Sequence, residues 1–428
     1  MTDRYQETID WLYSLENMGI KLGLERMREL LQALGDPQRS FRSVHIAGTN
    51  GKGSVCAMLS SIFREGGYRT GLYTSPHLVD FTERIQVDGV QISREEVAAL
   101  AGEVRVAMET PGFPDGRKLT FFEVTTAIAF LHFARNGVEM AVVEVGMGGR
   151  LDATNVITPE CCVITSLALE HTQYLGDTLP KIAYEKAGII KEGVTVVSAS
   201  HEEDVLRIID AVARDRGSPL LVSGRDFEHD LLKADWNGTK AHLHSIGSDV
   251  TIPLLGGYQA ANAAIACECA LETAKRGVYL PEEAIARGLE NVYWPGRMEV
   301  VSQRPLLVFD VTHTPAGAKA VAGELSRLQD KDWTLVIGVL NDKDLRGICE
   351  QFGPLAKNAV ATSPHTKRAF SAEEVAAVLK DYCDDVEVVP EVPMAIERAR
   401  TIAGQGPVLL TGSLYMVGEA KEWWTRTR

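Results

Sequence analysis

Ser43-Val44-His45-Ile46-Ala47-Gly48-Thr49-Asn50-Gly51-Lys52-Gly53-Ser54 decides the architecture. Ser43–Ala47 is mostly apolar and of strand length, and Gly53–Glu65 reads as the helix that follows. The glycines between them let backbone N–H groups face a phosphate with no Cβ in the way. The helix N-terminus adds partial positive charge, and Lys52 adds a point charge that can reach terminal phosphates. Thr49, Asn50, Gly51, Lys52, Gly53 and Ser54 are therefore candidate phosphate-loop residues. A glycine-rich strand–helix turn can also be purely structural; Lys52 in this setting favours the phosphate. The loop departs from the standard G-x-x-x-x-G-K-[ST] pattern. Ile46 stands at the first glycine, Gly53 at the hydroxyl position, and Ser54 one residue later.

The same alternation extends outward. Arg69–Tyr73, Met140–Val145 and Cys161–Thr165 read as strands, and Phe122–Arg135 and Thr178–Ala187 as helices. Near-continuous apolar strands between helices imply a parallel sheet covered on both faces. In Arg84–Ile92, Asp88-Gly89 between alternating residues signals a hairpin. Ser93-Arg94-Glu95-Glu96 reads as a capping box opening the next helix. Residues 220–253 look irregular and β-rich, before helices at Tyr258–Thr273 and Pro281–Leu289. Trp294-Pro295-Gly296 then punctuates the chain. Beyond it, strands are expected at Leu306–Asp310, Thr334–Val339, Ala359–Thr362, Val386–Val389 and Pro407–Thr411. Helices are expected at Ala316–Leu328, Ala372–Tyr382 and Pro393–Ile402. The fold class is thus α/β: a P-loop-containing parallel-sheet ATPase domain over 1–296 and a smaller C-terminal α/β domain over 297–428.

Composition narrows the function. At 428 residues the chain exceeds one ordinary core. Its net charge is −14, with no basic stripe of the kind a nucleic-acid binder carries. Anionic substrates would need locally positive groups. No apolar run reaches the roughly 18 residues of a membrane span, and the N-terminus lacks a signal-peptide layout, so a cytoplasmic location is expected. The seven cysteines are odd in number and form no C-x-x-C pair, which favours buried reduced thiols.

Four more segments follow the loop in order. They are Thr74-Ser75-Pro76-His77, Glu144-Val145-Gly146-Met147-Gly148-Gly149-Arg150-Leu151-Asp152-Ala153-Thr154-Asn155, Glu170-His171, and Tyr184-Glu185-Lys186-Ala187-Gly188-Ile189-Ile190-Lys191. Read singly they stay open. Ser75 could be turn chemistry before Pro76, Glu144 a solvated carboxylate ending a strand, His171 a satisfied histidine, and Lys186 an exposed helix lysine. Together with Gly48–Ser54 the ordered set resembles the folylpolyglutamate synthase/dihydrofolate synthase family of the Mur ligase superfamily. That resemblance implies that Ser75, Glu144 and His171 hold Mg2+. It also implies that Lys186 is carbamylated and can hold a second Mg2+. Lys52, Glu144, His171 and Lys186 are then the catalytic set. Glu170 stands where the family usually has aspartate.

The resemblance covers Ile20 to Tyr415. It places folate or dihydropteroate against Ile20, Lys21 and Leu22, against Leu119, Thr120, Phe121 and Phe122, and against Leu151, Asp152 and Ala153. Lys21 replaces a common acidic residue. Phe121 and Phe122 could stack on a flat heterocycle or simply fill a core. Asp152 could meet a pterin edge or position its loop. Gly257-Tyr258-Gln259-x-x-Asn262 adds Asn262 to the ATP site, and Trp294-Pro295-Gly296-Arg297-Met298-Glu299 adds Arg297, which could otherwise be an interdomain salt bridge. Asp310-x-x-His313-x-Pro315 adds Asp310 for the ribose, with departures at Val311, Thr312 and Thr314. Asp342-Lys343-Asp344 and Thr411–Tyr415 match too, as loop structure or as glutamate-binding groups.

The implied activity is ATP- and Mg2+-dependent ligation of L-glutamate to dihydropteroate, to the γ-carboxylate of tetrahydrofolate, or to both, through an acyl phosphate. The presence of all three pterin-side segments favours both acceptors. A monomer is expected, with small-molecule partners and neither nucleic acid nor membrane. Two other readings compete. One is a Mur-type ligase acting on a cell-wall precursor, for whose usual uridine-nucleotide domain little room precedes Ser43. The other is a non-catalytic ATP-binding regulator.

Overall fold

Two sheets, each mainly parallel, organise the chain in this computed structural model, which describes residues 4–15, 23–109, 119–328 and 332–427. The first contains β1 (Arg42–Ala47), β2 (Thr70–Tyr73), β3 (Ile85–Val87), β4 (Val90–Gln91), β5 (Met140–Glu144), β6 (Cys161–Ile164), β7 (Val196–Ser198) and β8 (Leu220–Val222). Its order is β4-β3-β2-β5-β1-β6-β7-β8. The strands from β2 to β8 run parallel, and β3 and β4 are antiparallel additions at one edge. Both faces of the centre are buried, so its strands read as apolar runs without alternation. Val44, Ile46, Val142 and Val163 join a core with helices Lys52–Glu65 and Tyr258–Lys275. Ala141 and Val143 face the opposite core, with helix Phe121–Arg135. The β3–β4 turn places Asp88 at φ 53° and Gly89 at φ 80°, as a tight hairpin requires.

Strands β9 (His229–Asp235), β10 (Gly238–Leu243) and β11 (Ser248–Ile252) form a separate antiparallel sheet, the β-rich stretch expected there. The second large sheet contains β12 (Glu299–Gln303), β13 (Leu306–Phe309), β14 (Trp333–Ile337), β15 (Ala356–Ala361), β16 (Asp385–Val388) and β17 (Val408–Thr411), in the order β12-β13-β17-β14-β15-β16. Only β12 is antiparallel. The sequence reading missed β12 because it is a half-buried edge strand with no apolar alternation. The expected capping box is half formed. Ser93 Oγ accepts the Glu96 N–H at 3.1 Å, but the Glu96 carboxylate goes to His132 Nδ1 at 2.8 Å. All seven cysteines are buried, and burial pushes the Cys162 thiol up to about 12. No helix among the described residues is long and apolar enough to cross a membrane.

Candidate active site

The loop after β1 is packed from two sides. Gly48 has φ 147°, and a Cβ there would lie 1.7 Å from Thr165 Oγ1, at the end of β6. A Cβ on Gly53 would lie 2.9 Å from the Trp294 ring. This accounts for glycine at the usual hydroxyl position: Trp294 occupies the space a side chain would need. The Thr49 and Asn50 N–H groups donate to the Ser166 carbonyl at 2.9 and 3.3 Å, and Lys52 Nζ donates to the Thr49 carbonyl at 3.2 Å.

These residues open onto a cavity of about 630 Å³. Thr49, Asn50, Gly51, Lys52, Gly53, Ser54, Asn262, Arg297 and Asp310 line it, as do Ser75, Glu144, His171 and Lys186. Strand ends explain the convergence. The phosphate loop follows β1, Ser75 follows β2 and Glu144 ends β5, and these strands are neighbours in the sheet. Glu144 is 4% exposed, and its Oε2 accepts the Ser75 N–H at 3.0 Å. Burial pushes its carboxyl pKa up, against the pull of Lys52, the Ser75 N–H, Arg297 and Arg84.

Lys186 is buried at 4% exposure, which overturns its default reading as a solvated helix lysine. Its Nζ donates to the Gly48 carbonyl at 2.7 Å. Burial, reinforced by the charge of Lys52, pulls its pKa down to about 7. His171 sits at φ 50°, with Nε2 3.7 Å from Glu170 Oε1. The same oxygen lies 3.7 Å from His313 Nε2 and 3.8 Å from Lys343 Nζ, both beyond Gly296. Burial raises the Glu170 pKa, but His313, Lys52 and His171 outweigh it and hold the group at about 2. Asn262 Nδ2 donates to Gln259 Oε1 at 2.9 Å. The buried Asp310 carboxylate accepts the Met298 and Thr312 N–H groups, each at 2.9 Å.

Among the described residues, the trio of His, Cys, Asp or Glu whose donor atoms lie within 4.8 Å of one another is His365, Glu391 and Glu419. Glu144 and His171 belong to no such trio. A Mg2+ ion keeps waters and takes phosphate oxygens, so its protein ligands need not form a closed cage. Ser75 and Glu144 supply hard oxygens, and the Glu144 carboxylate is buried on the cavity wall. That donor set fits Mg2+.

The expected folate residues are placed differently. Ile20, Lys21 and Leu22 lie outside the described residues. Leu119 is fully buried, and Thr120 spends its hydroxyl as the N-cap of helix Phe121–Arg135, in a capping box with Glu123. Phe121 stacks on Tyr13 (centroids 5.6 Å, 3° between planes), and Phe122 lies against Tyr73 and the Gly146 backbone. Asp152 is a loop organiser: it accepts from the Met147 N–H at 2.9 Å and from the Thr154 N–H and hydroxyl at 3.0 and 2.5 Å. His45 Nε2 lies 2.8 Å from that hydroxyl. Leu151 is half-buried and Ala153 buried in the same loop. The sequence reading missed Ser166 and Arg84; a buried arginine beside an Asp-Gly hairpin carries no local pattern.

Residues 46–270 match the Mur ligase middle domain, and residues 296–414 match the Mur ligase glutamate ligase domain. The chain is 37% identical over 433 residues to a Haloferax volcanii protein named "Probable bifunctional folylpolyglutamate synthase/dihydropteroate synthase". That alignment covers 99% of this chain but 51% of the relative, so the chain spans about half its length. It is 33% identical to the Bacillus subtilis dihydrofolate synthase/folylpolyglutamate synthase, with 99% of each chain covered. Among solved structures, the Mycobacterium tuberculosis folylpolyglutamate synthase complexed with ADP aligns at TM-score 0.89 and 32% identity, over 99% of both chains. The shared arrangement of sheets and the matched domains leave one conclusion: the chain belongs to the folylpolyglutamate synthase/dihydrofolate synthase family of Mur ligases.

Proposed function

We propose that the chain uses ATP to join L-glutamate to a folate-type carboxylate, accepting both dihydropteroate and tetrahydrofolate. One observation carries this reading. Lys52 and its loop, Glu144, and the Arg297 and Asp310 side chains from beyond Gly296 line a single cavity. The relatives' names and the ADP held by the Mycobacterium tuberculosis structure support it.

A carboxylate is a poor acylating agent because its leaving group would be oxide. Transfer of the γ-phosphoryl group to the acceptor carboxylate releases ADP and gives an acyl phosphate. The glutamate amine then attacks the acyl carbon, phosphate leaves, and the amine loses its proton. Loop N–H groups and Lys52 hold the phosphates and stabilise charge on the transferring group. Arg297 reaches in from the far wall, and closure there excludes water that would hydrolyse the acyl phosphate. Asp310 has lone pairs left for ribose hydroxyls, and Asn262 borders Gly51. Ser75, Glu144 and His171 would hold one Mg2+, and Lys186, once carbamylated, would hold a second. The ions would neutralise phosphate charge and align the reacting groups. No nucleophilic side chain is required.

In this reading the units are 1–296 and 297–428 and the protein is a cytoplasmic monomer, which sedimentation would check. The deciding experiment is glutamate-dependent ADP release with dihydropteroate and with tetrahydrofolate. Turnover with both is expected. Silence with both, in folded protein that binds ATP, would point to another Mur-type acceptor.

A further inference from the structure

The steps above need the far wall to stay over the phosphate loop, and one side chain is placed to hold it there. Glu170 lies between β6 and the short helix Thr172–Leu175, within the residues that match the Mur ligase middle domain. It lines the cavity, and its side chain is 17% exposed. Its Oε1 lies 3.7 Å from His313 Nε2 and 3.8 Å from Lys343 Nζ. Both partners belong to the glutamate ligase domain match. Lys343 is itself 16% exposed. The His313 ring is anchored by its Nδ1, 3.0 Å from the Val311 carbonyl, which leaves Nε2 facing Glu170.

Among the described residues, the ion pairs that cross between the two matched domains are these two, and both end on the same oxygen. Elsewhere the domains meet through apolar or backbone contacts. Leu78 packs on the core that holds Phe309 and Met416, and Leu255 packs with Met298 and Val321. Arg327 Nη1 donates to the Ala234 carbonyl at 2.8 Å. Such contacts fix where the domains touch but not how wide the cavity stands between them. A carboxylate facing two partners across the cavity does favour one width, because the attraction weakens with separation. Shielded from solvent on both sides, it is screened less than a surface pair. Arg297 and Asp310 share the wall with His313 and Lys343, so the same pull brings them toward Lys52.

We infer that Glu170 is a positioning residue that clasps the two domains, drawing His313 and Lys343 across the cavity and so keeping ATP cleavage coupled to amide formation. The coupling rests on the ligase reading above; the clasp does not.

The test pairs small-angle X-ray scattering with product analysis, on the full chain. A compact chain of this length has a radius of gyration of about 22 Å. With the β,γ-methylene analogue of ATP and Mg2+, Glu170→Gln, which keeps the size and removes the charge, should exceed the wild type by about 1 Å. Glu170→Asp, with a shorter reach, should fall between them. Lys343→Met should open the protein part of the way, and the double variant no further than Glu170→Gln alone. It also serves if the glutamine variant does not fold. Raising sodium chloride from about 0.1 M to about 1 M, where the Debye length is about 3 Å, should open the wild type and leave Glu170→Gln unchanged. In turnover, ADP released per amide formed should rise about 3- to 10-fold in Glu170→Gln. If Glu170 instead served the metal through His171, the Mg2+ needed for half-maximal turnover would rise about 10- to 100-fold with scattering unchanged. That outcome, or wild-type scattering in Glu170→Gln and Lys343→Met, overturns the clasp. Wild-type protein that forms no amide with either acceptor overturns the ligase reading, and scattering still decides the clasp.

Discussion

Lys186 should form a carbamate near neutral pH, and the structure sets the scale. Only the neutral amine adds to CO2, giving N–COO⁻ and a proton. With a pKa of about 7, the amine is about three-quarters neutral at pH 7.5, from 1/(1 + 10^(7 − 7.5)). At the ordinary value of 10.5 that fraction is about one in a thousand, so burial enriches the reactive form several hundred-fold. The sign is clear. The folded-state pKa lies below the ordinary one, so the amine is neutral above about pH 7 and charges as pH falls through it. Carbamate should therefore be present at pH 8 and lost toward pH 6. Carbon-13 NMR of protein equilibrated with labelled bicarbonate reads this directly. One protein carbamate resonance should appear in the wild type and be absent from Lys186→Gln, whose turnover should drop by about 100-fold or more. No such resonance at pH 8, or the same one in the variant, refutes the reasoning.

Lys52→Ala removes the charge aimed at the phosphates; kcat should fall at least about 100-fold while the melting temperature stays within a few degrees, and near-normal turnover would sink the phosphate-loop assignment. Gly48→Ala should cost about 2–4 kcal/mol in urea unfolding, from a strained φ plus a Cβ 1.7 Å from Thr165 Oγ1. Adding Thr165→Ala should recover only part of this, because the Thr165 backbone nitrogen is also 3.1 Å away. Thr154→Val keeps the shape but strips the hydroxyl between His45 and Asp152, leaving two buried groups short of a partner; urea unfolding should show a loss of about 2–4 kcal/mol. Arg297→Ala should raise glutamate-independent ADP release, measured as uncoupled ATP hydrolysis, if closure of that wall protects the acyl phosphate.

The sheets were legible because their inner strands are buried on both faces and leave unbroken apolar runs. The phosphate loop was legible because glycine, lysine and a helix start are adjacent in sequence. What could not be read depends on neighbours distant in the chain. Ser75 and Glu144 are 69 residues apart yet hydrogen-bonded, because β2 and β5 are adjacent. The buried Lys186 Nζ finds its acceptor in the Gly48 carbonyl, 138 residues before it. Glu96 left its own helix start because His132 offered a partner from another helix. Leu119 fills a core and Thr120 caps a helix, two jobs that the family pattern does not reveal. Pattern alone does not separate those jobs from ligand contact.

Trp294 lies against the first turn of the phosphate-loop helix, with its ring where a Gly53 Cβ would fall, and two residues later the glutamate ligase domain match begins. Its indole is therefore a native fluorophore seated where the two matched domains adjoin. With the other five of the six tryptophans replaced by phenylalanine, its emission and its quenching by acrylamide would follow that junction through a catalytic cycle, with no label attached.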